Sequence, residues 1–246
     1  MANAGLIVIG DEILSGKTTD TNTPFLIGEL RALGVRLSEI AVIADDIAGI
    51  GETVRRFADR FDHVFTSGGV GPTHDDLTMA GVAVAFGVPV ERHPELSSIL
   101  QSYYASKQTT VLERNLRMAD VPAGATLLGS PQLTWPVVCV HNVYILPGIP
   151  EVFRRKFEAI RERFRDVPFH LRQIFVTSEE GEIARHLDKI AQKYEGVAIG
   201  SYPLLNAADD GHRVKITLES KDAALVQRAS DELASLLGVE MIIRRS

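Results

Sequence analysis

The sequence predicts an α/β fold in which a doubly wound, mostly parallel sheet is followed by a small α+β unit. Two patterns carry the prediction. From Leu6 to Phe86, short β-branched runs alternate with amphipathic stretches in the order β-α-β-α-β-α, which sets strands side by side with helices over the sheet. From His170 the order becomes β-α-β-β-α-β, that of a split-βαβ layer. The expected division is residues 1–168 and 169–246.

Each element follows from local pattern. Residues 6–9 are a short apolar run, as in a strand buried on both faces. Residues 24–33 read as a helix that Gly34 ends. Residues 35–44 are the second strand. Residues 47–60 form an amphipathic helix, with Ile50, Val54, Phe57 and Phe61 recurring at helical spacing. A third strand (63–66) precedes a third helix (77–86), which Gly87 stops. Farther on, residues 95–107 and 110–118 read as helical, and 126–128, 137–140 and 143–146 as strands. Residues 151–165 read as a helix with Phe153, Phe157, Ile160 and Phe164 on one face, and its basic remainder is expected to face solvent. In the second unit, residues 172–177, 197–202, 213–219 and 239–244 read as strands, and 180–194 and 221–237 as helices.

Whole-chain properties narrow the function classes. Of 246 residues, 45% are apolar and 24% charged, which is ordinary for a globular protein. A net charge of −6 argues against a broad nucleic-acid-binding face. The single cysteine, Cys139, cannot form an intramolecular disulfide, and its apolar surroundings place it in the core. No apolar run reaches the roughly 18 residues of a membrane span. Residues 5–10 follow the N-terminus without a basic leader or signal-peptide pattern. A cytoplasmic protein with neither membrane nor nucleic acid as partner is expected.

The strongest motif is Thr66-Ser-Gly-Gly-Val-Gly-Pro-Thr-His-Asp-Asp-Leu-Thr78, between a predicted strand and a predicted helix. Gly68, Gly69 and Gly71 allow positive φ and close approach to a ligand. Their amides, with the positive end of the following helix, make an anion cradle. Ser67, Thr73 and Thr78 add hydroxyl donors. Asp75 and Asp76 repel a bare phosphate but suit a divalent cation placed between carboxylate and phosphate. One of the pair is also expected to cap the helix.

The second motif is Gly10-Asp-Glu-Ile-Leu-Ser-Gly-Lys-Thr-Thr-Asp-Thr-Asn22, after the first strand. In a sheet ordered 2-1-3, the loops after strands one and three face each other at the switch point where ligands bind. That would bring Asp11, Glu12, Asp20 and Asn22 toward Asp75 and Asp76, a carboxylate set suited to Mg²⁺. A plainer role is also open: Asp20 as the cap of the helix that starts near Pro24. Five residues separate Gly10 from Gly16, where a P-loop needs four, and two of them are acidic, so a P-loop nucleotidase is rejected.

Weaker signals complete the set. Asp45-Asp46 ends the second strand and is expected to cap the helix from Ile47, with contact to the site as the other reading. Leu146-Pro-Gly-Ile-Pro-Glu151 is a rigid strand-to-helix turn, with Gly148 able to wall a ligand pocket and Pro150 placed at a helix start. Gly200-Ser-Tyr-Pro203 is a strand end able to present a hydroxyl or a ring. No zinc spacing and no G-x-S-x-G elbow occur.

Gly10-Asp-Glu-Ile-Leu-Ser-Gly16, Asp20-Thr-Asn22 and Gly68-Gly-Val-Gly-Pro-Thr-His-Asp-Asp-Leu-Thr78 together resemble the MoaB/Mog molybdopterin-binding-fold family, most of all the N-terminal part of CinA (competence/damage-inducible) proteins. Residues 135–151 and 200–203 resemble the molybdopterin-binding-like domain of eukaryotic FAD synthases. Residues 129–136 replace the Asn-Pro-x-Gly-x-Ala-Pro-Gly type loop of CinA proteins, a departure from their pattern. Ending at Ser246, the chain is expected to lack the amidohydrolase domain of longer CinA proteins and the FAD-forming domain of FAD synthases.

The resemblance implies a divalent-metal-dependent pyrophosphatase acting on ADP-ribose or FAD, with Mg, Mn or Co as the metal. Asp11, Glu12, Asp75 and Asp76 are the expected catalytic and metal-binding residues. Ser67, Gly68, Gly69, Gly71, Thr73 and Gly148 are expected to contact ligand, with Asp20 near it, and Asn22 and Thr78 to orient the diphosphate. Relatives that assemble as dimers or trimers imply a homo-oligomer. Two other readings use the same cradle: a molybdenum-cofactor protein that handles molybdopterin, and a dinucleotide-binding module without catalysis.

Overall fold

The structure, a computed structural model, describes residues 2–129, 133–206, 208 and 210–246. The chain forms two compact units, Met1–Asp166 and Val167–Ser246.

The first unit runs β1 (Asn3–Ile9), the single turn α1 (Asp11–Leu14), α2 (Asn22–Ala32), β2 (Arg36–Ile43), α3 (Ile47–Arg60), β3 (His63–Ser67) and α4 (Thr78–Phe86). It continues with β4 (Val90–Arg92), α5 (Pro94–Ser106), α6 (Glu113–Leu116), β5 (Asp120–Pro122), β6 (Thr126–Leu128), β7 (Val137–Val140), β8 (Val143–Leu146) and α7 (Pro150–Ile160). Six strands make one sheet in the order β2-β1-β3-β8-β7-β6. The first four are parallel, and β7 and β6 are antiparallel additions. The 2-1-3 order required by the facing-loop argument is present.

The sheet is covered on both faces because β1 is apolar at successive positions. Ile7 and Ile9 pack with Ile50, Val54 and Phe57 of α3. Ala4, Leu6 and Val8 pack with Leu26 and Leu30 of α2 and Phe153 and Phe157 of α7. Burying both faces of one strand leaves no polar alternation to read, as parallel central strands require.

Two helices are shorter than their patterns predict. Of residues 110–118, only Glu113–Leu116 is α-helical, followed by a 3₁₀ turn at Arg117–Ala119. The Arg92 guanidinium reaches both Glu113 and Asp120, and Asp120 pairs with Arg92 across the β4–β5 ribbon. That pairing holds the segment in a form its propensity alone does not favour. The helix expected over 151–165 ends at Ile160 and tightens into a 3₁₀ turn, Arg161–Phe164. The tighter turn carries Phe164 into an aromatic cluster with Phe65, Tyr144 and Phe157.

The second unit contains β9 (His170–Val176), α8 (Glu180–Lys193), β10 (Ala198–Pro203), β11 (Val214–Ser220), α9 (Ala223–Leu237) and β12 (Ile242–Arg245). Its antiparallel sheet has the order β10-β11-β9-β12. Strand β11 alternates fully buried with half-buried residues, and Val214, Ile216 and Leu218 meet the apolar faces of α8 and α9. Residues 239–241, expected to begin the last strand, form a 3₁₀ turn instead. Among the described residues, no helix is long and apolar enough to cross a membrane.

Candidate functional site

The loops after β1, β3 and β8 meet because their strands are neighbours. The approach is close enough to demand glycine. Gly68 has φ +112°, and a Cβ there would lie 2.0 Å from the Ile9 carbonyl oxygen. Gly69 has φ +63°, and its Cβ would meet the Thr78 hydroxyl at 2.4 Å. Both departures from ordinary L-residue backbone are tolerated only without a side chain.

Asn22, at the start of α2, ties the three loops together. Its Nδ2 donates to Ser67 Oγ at 2.9 Å and to the Gly148 carbonyl at 2.8 Å. The residue is only 4% exposed, and Oδ1 is buried without a hydrogen-bond partner. Asn22, expected to orient a diphosphate, spends its donors on the loops themselves. Both amide hydrogens are engaged in the protein, and the group left over is an acceptor, which suits a hydroxyl donor. Thr78 is likewise a brace. Its hydroxyl donates 2.8 Å to the Gly68 carbonyl, and its N–H donates to the Gly69 carbonyl. Asp20 accepts from the N–H groups of Asn22 and Thr23 and from the Thr23 hydroxyl, so its carboxylate closes the start of α2.

In the glycine loop, Asp76 turns back on its own loop. Its carboxylate accepts from Gly71 N–H at 2.5 Å, Thr73 N–H at 2.7 Å and the Thr73 hydroxyl at 2.5 Å. Neither Asp75 nor Asp76 caps α4, contrary to expectation: the N-cap is Leu77, with no side-chain cap bond. Gly71 does not adopt positive φ, and its requirement is spatial, since a Cβ would stand 2.7 Å from Asp76 Oδ2. Of the amides expected to hold an anion, that of Gly71 is taken up by the Asp76 carboxylate, joined by the amide of Thr73. Asp75 points to solvent.

The remaining carboxylates gather around Asp45. Asp46 caps α3 as expected, accepting from Gly49 N–H at 2.7 Å. Asp45 instead accepts the Asp11 N–H at 2.9 Å. Burial, joined by the negative charges of Asp11, Glu12 and Asp75, pushes its carboxyl above the usual range, against the lowering effect of the Asp11 bond. Among the described residues no three Asp, Glu, His or Cys side chains converge closely enough to hold a metal ion. The cage expected from Asp11, Glu12, Asp75 and Asp76 is thus not assembled, because Asp76 is folded into its loop. The donor set still fits a hard cation of the magnesium type, which takes one or two carboxylates and completes its shell with water and phosphate oxygens.

A cavity of about 640 Å³ opens beside the glycine loop. Gly68 to Pro72, Asp76, Glu12 and Gly148 form its polar rim, and Met79, Met118, Trp135, Val138, Ile145 and Val152 its apolar wall. Lys156 of α7 also lines it. This lysine is 6% exposed, and its Nζ donates 2.6 Å to the Pro136 carbonyl. Burial pushes its pKa down to about 8. A second, narrow space of about 60 Å³ is lined by Asp20, Thr21, Asn22, Ser67 and Gly148.

Residues 5–166 match the family described as probable molybdopterin binding domain, which covers the sheet, the three loops and the cavity. The chain belongs to this molybdopterin-binding-domain family. Residues 168–246 match a second family, described as FAD synthase, middle domain. The chain is 34% identical to a probable FAD synthase of Caenorhabditis briggsae, over 95% of its own length and 49% of that protein. It is 32% identical to a protein of Archaeoglobus fulgidus, over 94% of its length and 96% of the other. A CinA-like protein of Thermomicrobium roseum is 31% identical over 96% of this chain and 59% of that protein. The chain therefore spans about half the length of the Caenorhabditis relatives it matches. Among solved structures, CinA of Thermoplasma acidophilum aligns with a TM-score of 0.60 and 29% identity, over 67% of this chain and 99% of that one.

Two features of this domain are decided only by the structure. Asp45, for which capping was the expected role and contact with the site the alternative, is brought to Asp11 by the β1–β2 pairing. Lys156 sits among the charged residues of α7, yet the surface expected for that basic set fails at this position. The usable signal is its spacing: Lys156 lies three residues after Phe153 and four before Ile160, on the stripe that faces the core.

Proposed function

We propose that the chain is a divalent-metal-dependent pyrophosphatase that cleaves ADP-ribose or FAD and releases AMP. The observation that supports this reading is the meeting of three loops at one cavity, whose rim carries the glycine loop together with Glu12 and Asp76. In the reaction a water oxygen bonds to one phosphorus and the bridging P–O bond breaks. Two phosphomonoesters result, AMP and either ribose 5-phosphate or FMN.

The chain's residues divide the work by position. The Gly68 and Gly69 backbone, with the Ser67 hydroxyl, forms the floor for one phosphate. The amides of Gly71 and Thr73, now on Asp76, receive a phosphate oxygen when the Asp76 carboxylate yields. Released in this way, Asp76 joins Asp11, Glu12, Asp45 and Asp75 at the anionic edge. Mg²⁺, Mn²⁺ or Co²⁺ held there supplies charge neutralisation on the diphosphate. Asn22 lines the narrow space beside the glycine loop, and its Oδ1 is an acceptor without a protein partner.

A second reading, molybdopterin binding without pyrophosphate cleavage, is favoured by the family of residues 5–166 and by the apolar cavity wall. One experiment separates the two. Purified protein is incubated with FAD or ADP-ribose and each metal, and AMP is followed by chromatography beside an Asp76→Ala variant. AMP that requires metal and falls at least tenfold in the variant supports the pyrophosphatase; the size is that of a lost charged contact worth about 1.5–3 kcal/mol. Absence of AMP from folded protein under every metal overturns it, and a titration with molybdopterin then tests the second reading.

A further inference from the structure

The apolar chamber behind the glycine loop contains one group that the proposed chemistry does not use. Lys156 is buried and lines this chamber together with Met79, Met118, Trp135, Val138 and Val152. Its hydrogen-bond partner is the Pro136 carbonyl, and no carboxylate pairs with it among the described residues. An ammonium offers three donors, so two remain for another acceptor. A buried cation held by a single neutral carbonyl is costly, and a chamber that needed only bulk would hold methionine or leucine there.

We infer that Lys156 is a specificity-determining residue that reads the oxo-bearing edge of a flat heteroaromatic ring placed in this chamber. The inference rests on the reading of the glycine loop as a phosphate site. With the phosphate on the loop, the attached group is directed into the chamber lined by Trp135 and the methionines, whose apolar wall accepts a planar ring. The ring edge that reaches Lys156 meets an unsatisfied donor. Ring oxo oxygens accept from it, whereas an exocyclic amino group presents hydrogens to hydrogens. The other charged side chains on the cavity, Glu12 and Asp76, lie at its loop end and not on the apolar wall.

The test compares two probes, with Mg²⁺ present throughout. FMN carries a phosphate and an oxo-bearing ring, while pyrophosphate occupies the loop alone. Binding is read from Trp135, the single tryptophan and a lining residue of the chamber. Lys156→Met keeps the volume, removes the donors and is expected to fold. In this variant FMN affinity falls between about tenfold and a hundredfold, the size of a hydrogen bond to a charged group, and pyrophosphate affinity stays within about twofold. Lys156→Gln, which keeps an N–H donor, recovers part of the FMN affinity. Unchanged FMN affinity in Lys156→Met overturns the inference, as does an equal loss for both probes. Natural protein that binds pyrophosphate but not FMN overturns the ring reading and leaves the phosphate cradle standing. Natural protein that binds neither overturns both.

Discussion

Replacing Lys156 by methionine should stabilise the first unit at neutral pH, and by an amount that depends on pH in a definite sense. Burial lowers the lysine from its ordinary 10.5 to about 8. A difference of this size corresponds to about 3 kcal/mol of penalty on the charged form. Removing the side chain also removes its bond to Pro136, worth about 1 kcal/mol, so the net gain at pH 7 is about 2 kcal/mol. Below pH 8 the lysine is protonated both folded and unfolded, and the full penalty applies. Between pH 8 and 10.5 the folded state has released the proton and the unfolded state has not. The unfolded state then binds more protons, and the natural protein gains stability as pH rises. The advantage of the variant is therefore complete below pH 8 and lost by pH 10.5, where it becomes a deficit of about 1 kcal/mol. Urea titrations of both proteins between pH 6.5 and 10.5, followed by Trp135 emission, report the first unit alone. A difference that stays constant over this range, or a variant less stable at pH 7, would show that burial does not penalise the Lys156 charge.

Other perturbations follow from the same contacts. Gly68→Ala places a Cβ 2.0 Å from the Ile9 carbonyl at positive φ, and should cost about 3 kcal/mol in denaturant titration while abolishing pyrophosphate binding. Asn22→Ala removes the donors to Ser67 and Gly148, and should cost about 1–3 kcal/mol and weaken ligand binding even though no phosphate contact is removed; unaltered binding would count against the bracing role. Asp45→Asn removes a carboxylate whose pKa is raised by burial and by its acidic neighbours. The natural protein loses stability as pH rises through that titration and the variant does not, so the variant should be the more stable at pH 7 and should bind Mg²⁺ more weakly by calorimetry. Equal pH profiles for the two proteins would argue against the repulsion.

Much of this fold is legible without coordinates. The apolar run of β1, the helical spacing of Ile50, Val54 and Phe57, and the stops at Gly34 and Gly87 are local, and local sterics and periodicity act before any long-range contact forms. The glycine loop is legible for the same reason: a strand, clustered glycines and a helix start constrain the backbone at short range. Strands β4 and β5 were not legible, because Val90-Glu-Arg92 carries no apolar alternation and exists as a strand only through its partner. The carboxylates of the second motif could be placed near the first only by assuming the 2-1-3 order, which strand pairing supplied.

What tertiary structure decided is which donors and acceptors remain available. The sequence presents Asn22, Thr78, Asp20 and Asp76 as polar groups near a ligand. In the fold the first three brace loops and a helix start, and Asp76 occupies the amides of its own loop. Residue types alone determined that hydroxyls, amides and carboxylates would follow the first and third strands, and strand order that they would meet. Hydrogen-bond pairing depends on distances of a few ångströms between chain segments far apart in sequence, and so does the burial of one lysine within a basic helix. The family, the alternating order and the cradle therefore belong to the sequence. The free acceptor on Asn22 and the raised carboxyl of Asp45 arise only when β1, β2, β3 and β8 lie side by side, and the unpaired charge of Lys156 only when α7 packs beside the segment that leads into β7.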